Sequence, residues 1–105
     1  GLRVSSSRLA VRLLGGAEVD LSDVITVIAA DNPVAASALA DKIEKSLDDL
    51  ASHPRMGRVP DDSNLMQMDY RYLVVENYLV FYVVEARVVI IHRILHGARN
   101  YRDLL

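Results

Sequence analysis

The 105-residue chain contains no cysteine. Disulfides and thiolate metal sites are excluded together, and a reducing cytoplasm is the expected compartment. Long apolar runs are also missing. A bilayer-spanning helix needs about 18 apolar residues in succession. The longest stretches here, Tyr78–Val84 and Val88–Ile91, are strand-sized. No internal repeat or low-complexity segment occurs. There are three prolines and five glycines, and none of them interrupts the stretch from Val34 to Ser52. What is present suits one globular domain. Hydrophobic residues make up 51% and charged residues 25%, enough for a core without staples and too apolar for disorder. The opening Gly1–Arg8 has neither an initiator Met nor an apolar segment of signal-peptide length. It reads as a disordered extension or a cloning scar, with residues 9–105 as a single domain.

The net charge of −2 argues at first against a nucleic-acid partner, but the charge is unevenly spread. Between Ala17 and Pro54, eight acids (Glu18, Asp20, Asp23, Asp31, Asp41, Glu44, Asp48 and Asp49) face Lys42 and Lys45, a local −6. Between Arg87 and Leu105, four arginines (Arg87, Arg93, Arg99 and Arg102) face Asp103, a local +3. Two readings fit this split: a solvated helical face opposite a mildly basic sheet end, or a functional anion-binding end.

Leu9–Leu14 alternates weakly and stops at Gly15-Gly16, as a short strand would. Ala17, Leu21, Val24, Ile25 and Ile28 then recur at helical spacing up to about Ala30. Asp31-Asn32-Pro33 is a stop and a restart, with Asn32 as a cap and Pro33 at the first helical position, where its missing N–H costs nothing. Ala36, Leu39, Ala40, Ile43, Leu47 and Leu50 form one uninterrupted apolar stripe, which predicts a long second helix ending before His53-Pro54. So short a link makes the two helices an antiparallel hairpin. Arg55–Asp69 reads as a loop. Tyr70–Glu76, Tyr78–Glu85 and Val88–Leu95 read as three strands of an antiparallel meander, separated by Asn77 and by Ala86-Arg87. A turn and a short tail, partly helical, follow. The expected fold is α+β: an N-terminal strand, a helical hairpin and a three-stranded meander, with the helices on one face of the sheet. Leu39, Ile43 and Leu47 should be buried against it, opposite Val80, Tyr82 and Ile90 or their strand neighbours.

That order carries three landmarks: Leu50-Ala51-Ser52-His53-Pro54-Arg55-Met56-Gly57 after the hairpin; Tyr70-Arg71-Tyr72-Leu73 followed by Asn77-Tyr78-Leu79-Val80-Phe81-Tyr82; and Ile91-His92-Arg93-Ile94-Leu95-His96-Gly97-Ala98-Arg99-Asn100-Tyr101. With these landmarks the chain resembles the RelE/ParE toxins of bacterial type II toxin–antitoxin pairs over roughly residues 10–105. The resemblance implies a growth-arresting toxin silenced by a cognate antitoxin, with no membrane or small-molecule partner. RelE-like members resemble ribosome-dependent messenger RNA endoribonucleases. ParE-like members are similar to non-hydrolytic poisons of DNA gyrase, and the uninterrupted hairpin and the His96-Gly97-Ala98-Arg99 ending lean that way. The RelE branch uses strand lysines and a strand arginine. Here the matching stretches read Tyr70-Arg71-Tyr72 and Tyr78-Leu79-Val80, with no lysine and with Leu79 at the arginine's place. A family member that only binds its antitoxin is a further reading.

RNA cleavage by 2′-hydroxyl attack needs a proton acceptor, a proton donor and a cation. His96, Arg99 and Tyr101 are the one close cluster in the sequence that offers all three, and they are the candidate catalytic set. His titrates near neutrality, and Arg forks two phosphate oxygens. The competing reading is structural: His96 caps the strand, Arg99 pairs with an acid and Tyr101 packs beside Leu104. Arg71, Arg93 and Arg102 are candidate binding residues. Arg71 and Arg93 sit on strands among apolar neighbours, so each must reach solvent or a partner, since a buried unpaired charge costs too much. An ion pair or a phosphate contact would serve. His92 and His96 straddle a strand end and make poor metal ligands, so no metal or cofactor is expected. Tyr70, Tyr72, Tyr78 and Tyr82 could stack on bases, but their strand positions favour packing.

Overall fold

The computed structural model describes residues 8–97, 101, 104 and 105. Strand β1 (Ala10–Leu13) gives way at once to helix α1 (Gly15–Asp31). The helix starts before Ala17 because Leu14 is an extended N-cap whose N–H still donates to the Ile91 carbonyl, 3.0 Å away. Helix α2 (Pro33–Ser52) begins as the residue types require: the Asn32 side chain accepts from the Ala35 N–H at 3.1 Å, and Pro33 occupies the first turn. It ends at His53, ahead of Pro54. Its stripe buries Ala36, Leu39, Ile43 and Leu50, with Leu47 half-buried.

The segment expected to be loop throughout, Arg55–Asp69, holds a short helix, α3 (Ser63–Gln67). The Asp62 carboxylate caps it, accepting from the N–H groups of Asn64 and Leu65, and buried Leu65 anchors it. A capping acid followed by one buried leucine is enough for a single turn, although the surrounding residues carry loop character.

Strands β2 (Arg71–Val75), β3 (Tyr78–Glu85) and β4 (Val88–His96) form the antiparallel meander. β1 joins it parallel to β4, so the sheet order is β1-β4-β3-β2. The turns are tight and strained for side-chain-bearing residues: Glu76 has φ 53°, Ala86 48° and Arg87 64°. Ala86-Arg87 matches the mirror-image turn that follows strand twist, here made without glycine. A β-bulge falls between Phe81 and Tyr82, where Phe81 faces Arg93, Tyr82 faces Ile91 and His92 is left without a register partner.

Both helices lie on one face of the sheet. There Leu39, Ile43 and Leu50 pack with Val80, Tyr82, Val89, Ile91 and Ile94. Of the residues expected opposite the helices, Val80 and Tyr82 are there, and in β4 the strand neighbours Val89 and Ile91 take the place, since alternation sends Ile90 to the other face. The second face carries Tyr70, Phe81, Val83 and Leu95, covered by Leu65 of α3 and by Tyr101, Leu104 and Leu105. Among the described residues, no helix is long and apolar enough to cross a membrane.

Candidate functional site

The C-terminal end of β4 positions the candidate residues. His96 closes the strand opposite Tyr78, and the two rings meet edge-on with centroids 5.4 Å apart and planes at 84°. The next N–H, that of Gly97, donates to the Asn77 carbonyl at 2.8 Å and ties this end to the β2–β3 turn. His96 is exposed and lines a cleft of about 250 Å³ on the helix side, together with Asp20, Asp23, Val24, Val27 and Ile28 of α1. Tyr101 lies elsewhere. Its ring rests on Phe81, 4.9 Å between centroids, within the cluster on the opposite face. The sheet therefore separates His96 from Tyr101. Arg99 and Arg102, the other two candidates from the tail, lie outside the described residues.

Arg93 is held by an acid. Its Nε donates to Asp20 Oδ2 at 2.7 Å and its Nη2 to Asp20 Oδ1 at 2.8 Å, a bidentate pair, and Nη1 reaches the Leu104 carbonyl at 3.2 Å. The topology explains the need. β1 stops at Leu13, paired with Ile91, and leaves the last part of β4 without a strand on that edge, the other being paired with β3. Asp20 takes the place of a strand there, accepting from the Ile94 N–H at 2.9 Å. The hydrogen bond from Arg93 to this carboxylate holds the guanidinium above its usual range, against the downward push of burial. Asp20 was legible only as one acid among several. The missed signal is its place in the helical stripe, three residues after Ala17 and four before Val24, where an acid needs a partner.

Arg71 opens β2 and donates through Nη1 to two carbonyls of the loop after α2, Gly57 at 3.0 Å and Arg55 at 3.3 Å. Beside it, Arg58 and Tyr72 exchange backbone hydrogen bonds at 2.8 and 2.9 Å, so the loop is stitched along the outer edge of β2.

A further pair escaped sequence reasoning. The Tyr70 hydroxyl and His92 Nδ1 lie 2.9 Å apart, with the rings edge-on. Burial lowers the His92 pKa, with Glu85 acting weakly the other way, and burial raises that of Tyr70. The bulge aims His92 at Tyr70, and no periodicity announces a bulge. Among the described residues, no three His, Asp or Glu side chains converge as a metal site would require.

The model of the ParE toxin of type II toxin–antitoxin systems, parDE, matches residues 11–101. The chain belongs to this family. As a ParE toxin it is a type II toxin of the RelE/ParE superfamily. Its fold is similar to that of a chain of the chromosomal ParDE toxin–antitoxin system of P. aeruginosa, with a TM-score of 0.70 at 17% identity, covering 86% of this chain and 97% of that one. It is also similar to a chain of the toxin–antitoxin complex RelBE2 from Mycobacterium tuberculosis, with a TM-score of 0.59 at 21% identity, covering 85% and 98%. At such identities the likeness speaks for the fold alone. No curated protein matches the chain in sequence.

Proposed function

We propose that this toxin arrests growth by binding rather than by cleaving, with DNA gyrase as its target and a cognate antitoxin as its silencer in the bacterial cytoplasm. The observation that carries the reading is the division of the candidate set. A proton donor and acceptor for strand cleavage must both come within hydrogen-bond reach of one scissile group. Here His96 and Tyr101 lie against opposite faces of the sheet. A binding surface needs no such convergence. The net positive charge of the sequence between Arg87 and Leu105 is the feature that suits an acidic partner.

The antitoxin reading draws support from the helix side. Helix α1 carries Glu18, Asp20, Asp23 and Asp31 with no Lys or Arg, yet Val19 and Val27 are 59% and 70% exposed, and Val27 lines the cleft. Such a surface suits an amphipathic segment that folds on contact. An adjacent small gene is expected to encode a protein that co-purifies with this one. Good growth on expression of this chain alone, with no binding neighbour, would count against a toxin.

The mechanism is tested by induction followed by pulse-labelling. Thymidine incorporation should stop before amino-acid incorporation, and purified protein should inhibit gyrase while leaving ribosome-bound message intact. Arg99→Ala should abolish toxicity. His96→Gln should leave most of it, whereas loss of a general acid or base would cost about 10²–10⁴-fold. Message cleavage that disappears in His96→Gln would establish the endoribonuclease instead.

A further inference from the structure

The two long helices use their apolar residues differently. Helix α2 buries Ala36, Leu39, Ile43, Leu50 and Ala51, whereas α1, the more apolar of the two, buries only Ala17. Val24 and Ile28 of α1 are half-buried, and Val27 stands in the open. The cleft beside His96 runs along this helix, with Asp20, Asp23, Val24, Val27 and Ile28 lining it at helical spacing. Ile94, Leu95 and Tyr78 line it from the sheet, and His96 is set against the Tyr78 ring. Of the two carboxylates in the lining, Asp20 is engaged by Arg93 and by the Ile94 N–H. Asp23 is exposed and makes no ion pair among the described residues. Asp31 is in the same state, and it continues the stripe four residues after Val27, as Asp23 stands four before it. Val27 therefore lies between two carboxylates about 12 Å apart along the helix. No lysine or arginine of α1 answers them, and the lysines of α2 are paired with Glu76 and Asp49.

We infer, resting on the reading that an antitoxin covers the helix side, that this cleft receives a basic amphipathic helix of that partner. Its aliphatic side chains enter beside Val27, and a lysine or arginine stands over each of Asp23 and Asp31. The under-buried face of α1 calls for aliphatic cover, since apolar area gains by leaving water. The two unpaired carboxylates select the sign of the charges around that cover. Asp20 selects a helix over a strand. The edge of β4 beyond Ile91 would otherwise accept a strand, but the Asp20 carboxylate already takes the Ile94 N–H. An added strand would displace Asp20 and leave Arg93 without its partner, which is costly. A helix laid along α1 disturbs neither bond. A polynucleotide would be repelled, because Glu18, Asp23 and Asp31 meet no lysine or arginine on α1.

Fluorescence anisotropy with the full chain tests this docking. The probes are a labelled amphipathic peptide of leucine, alanine and lysine about 15 residues long, its counterpart with glutamate for lysine, and a labelled oligothymidylate. The lysine peptide should bind saturably, and the glutamate peptide about tenfold weaker, since two exposed attractions become two repulsions. Asp23→Lys, at an exposed position, should narrow or reverse that preference without changing the circular dichroism. Val27→Glu should weaken the lysine peptide, whereas Glu44→Lys, exposed on α2, should leave it unchanged. Equal binding of the two peptides, no saturable binding, or an unchanged preference in Asp23→Lys would each overturn the site. So would an effect of Glu44→Lys as large as that of Asp23→Lys, or tighter binding of the oligothymidylate. Co-expression with the neighbouring gene separates the site from the antitoxin reading. Val27→Glu should release the co-purifying partner, and a partner retained by this variant overturns the site alone. A native chain that co-purifies with nothing counts against the antitoxin reading, and the peptides then judge the site.

Discussion

The two faces of the sheet are covered by different means. On one, two long helices press an aliphatic layer of Leu39, Ile43 and Leu50 against Val80, Val89, Ile91 and Ile94. On the other, the rings of Tyr70 and Phe81 lie beneath a one-turn helix and beneath Tyr101, Leu104 and Leu105. The first face is held by apolar area removed from water, which is non-directional and roughly additive. The second combines less cover with directional tethers: the Tyr70–His92 hydrogen bond, and the reach of Arg93 to the Leu104 carbonyl. The helix face should therefore respond to lost volume, and the far face to lost hydrogen bonds and to pH.

Four measurements sharpen or break that contrast. Ile43→Ala removes volume from the helix face and should lower the unfolding free energy by about 2–5 kcal/mol in chemical denaturation. A loss below about half a kcal/mol would mean that the α2 stripe contributes little to the docking of the hairpin. Asp20→Ala cuts the link that joins the faces, stranding Arg93 and the Ile94 N–H, and should cost about 1–3 kcal/mol. Adding Arg93→Met should restore part of that loss, since the penalty lies largely in the unpaired cation; full additivity of the two changes would show them to be uncoupled.

The far face should be the one that feels acid. Burial lowers the His92 pKa in the folded chain, so the unfolded chain binds the proton more readily. The contribution of His92 is complete above its unfolded pKa of about 6.5 and declines as the pH falls through that value toward the lower folded one. Denaturation midpoints across this window should show the decline, and His92→Gln should flatten it. An unchanged slope in the variant would assign the acid sensitivity to other groups. The smallest effect belongs to neither face. Ala86→Asn in the left-handed β3–β4 turn should stabilise by about 0.5–1 kcal/mol, because asparagine tolerates positive φ better than alanine.

The order of strands and helices was legible because hydrophobic period and turn residues are local. Asn32 and Pro33 marked the helix junction, and Ala36, Leu39 and Ile43 marked the buried stripe. The demand that Arg93 find a partner was legible too, since it sits between Ile91 and Leu95. The partner was not, because Asp20 stands 73 residues away and meets it only after the sheet has formed. The bulge escaped for the same reason: it is a property of two paired strands, and it decides where His92 points. Sequence proximity misled in the candidate set. His96 and Tyr101 are five positions apart, yet the first lines the helix-side cleft and the second packs on Phe81 on the other face. The short helix α3 hid among loop-forming residues, held by one capping acid and one leucine.

The parallel pairing of β1 with β4 has a consequence for assembly. Ala10 meets Val88 and Leu13 meets Ile91, so the first strand waits for the last before it gains a neighbour. Closing so long a loop precedes the contacts that reward it, and folds dominated by such pairings form slowly. On the ribosome the helical hairpin emerges early with its apolar stripe uncovered, and the strand that packs against α1 and flanks β1 comes last. Until β4 is made, the β2–β3 pair lacks the strand that joins it to β1. Closure of this sheet is thereby tied to synthesis of β4, and a partner that shields the hairpin in the interval would meet the nascent chain before the sheet is complete.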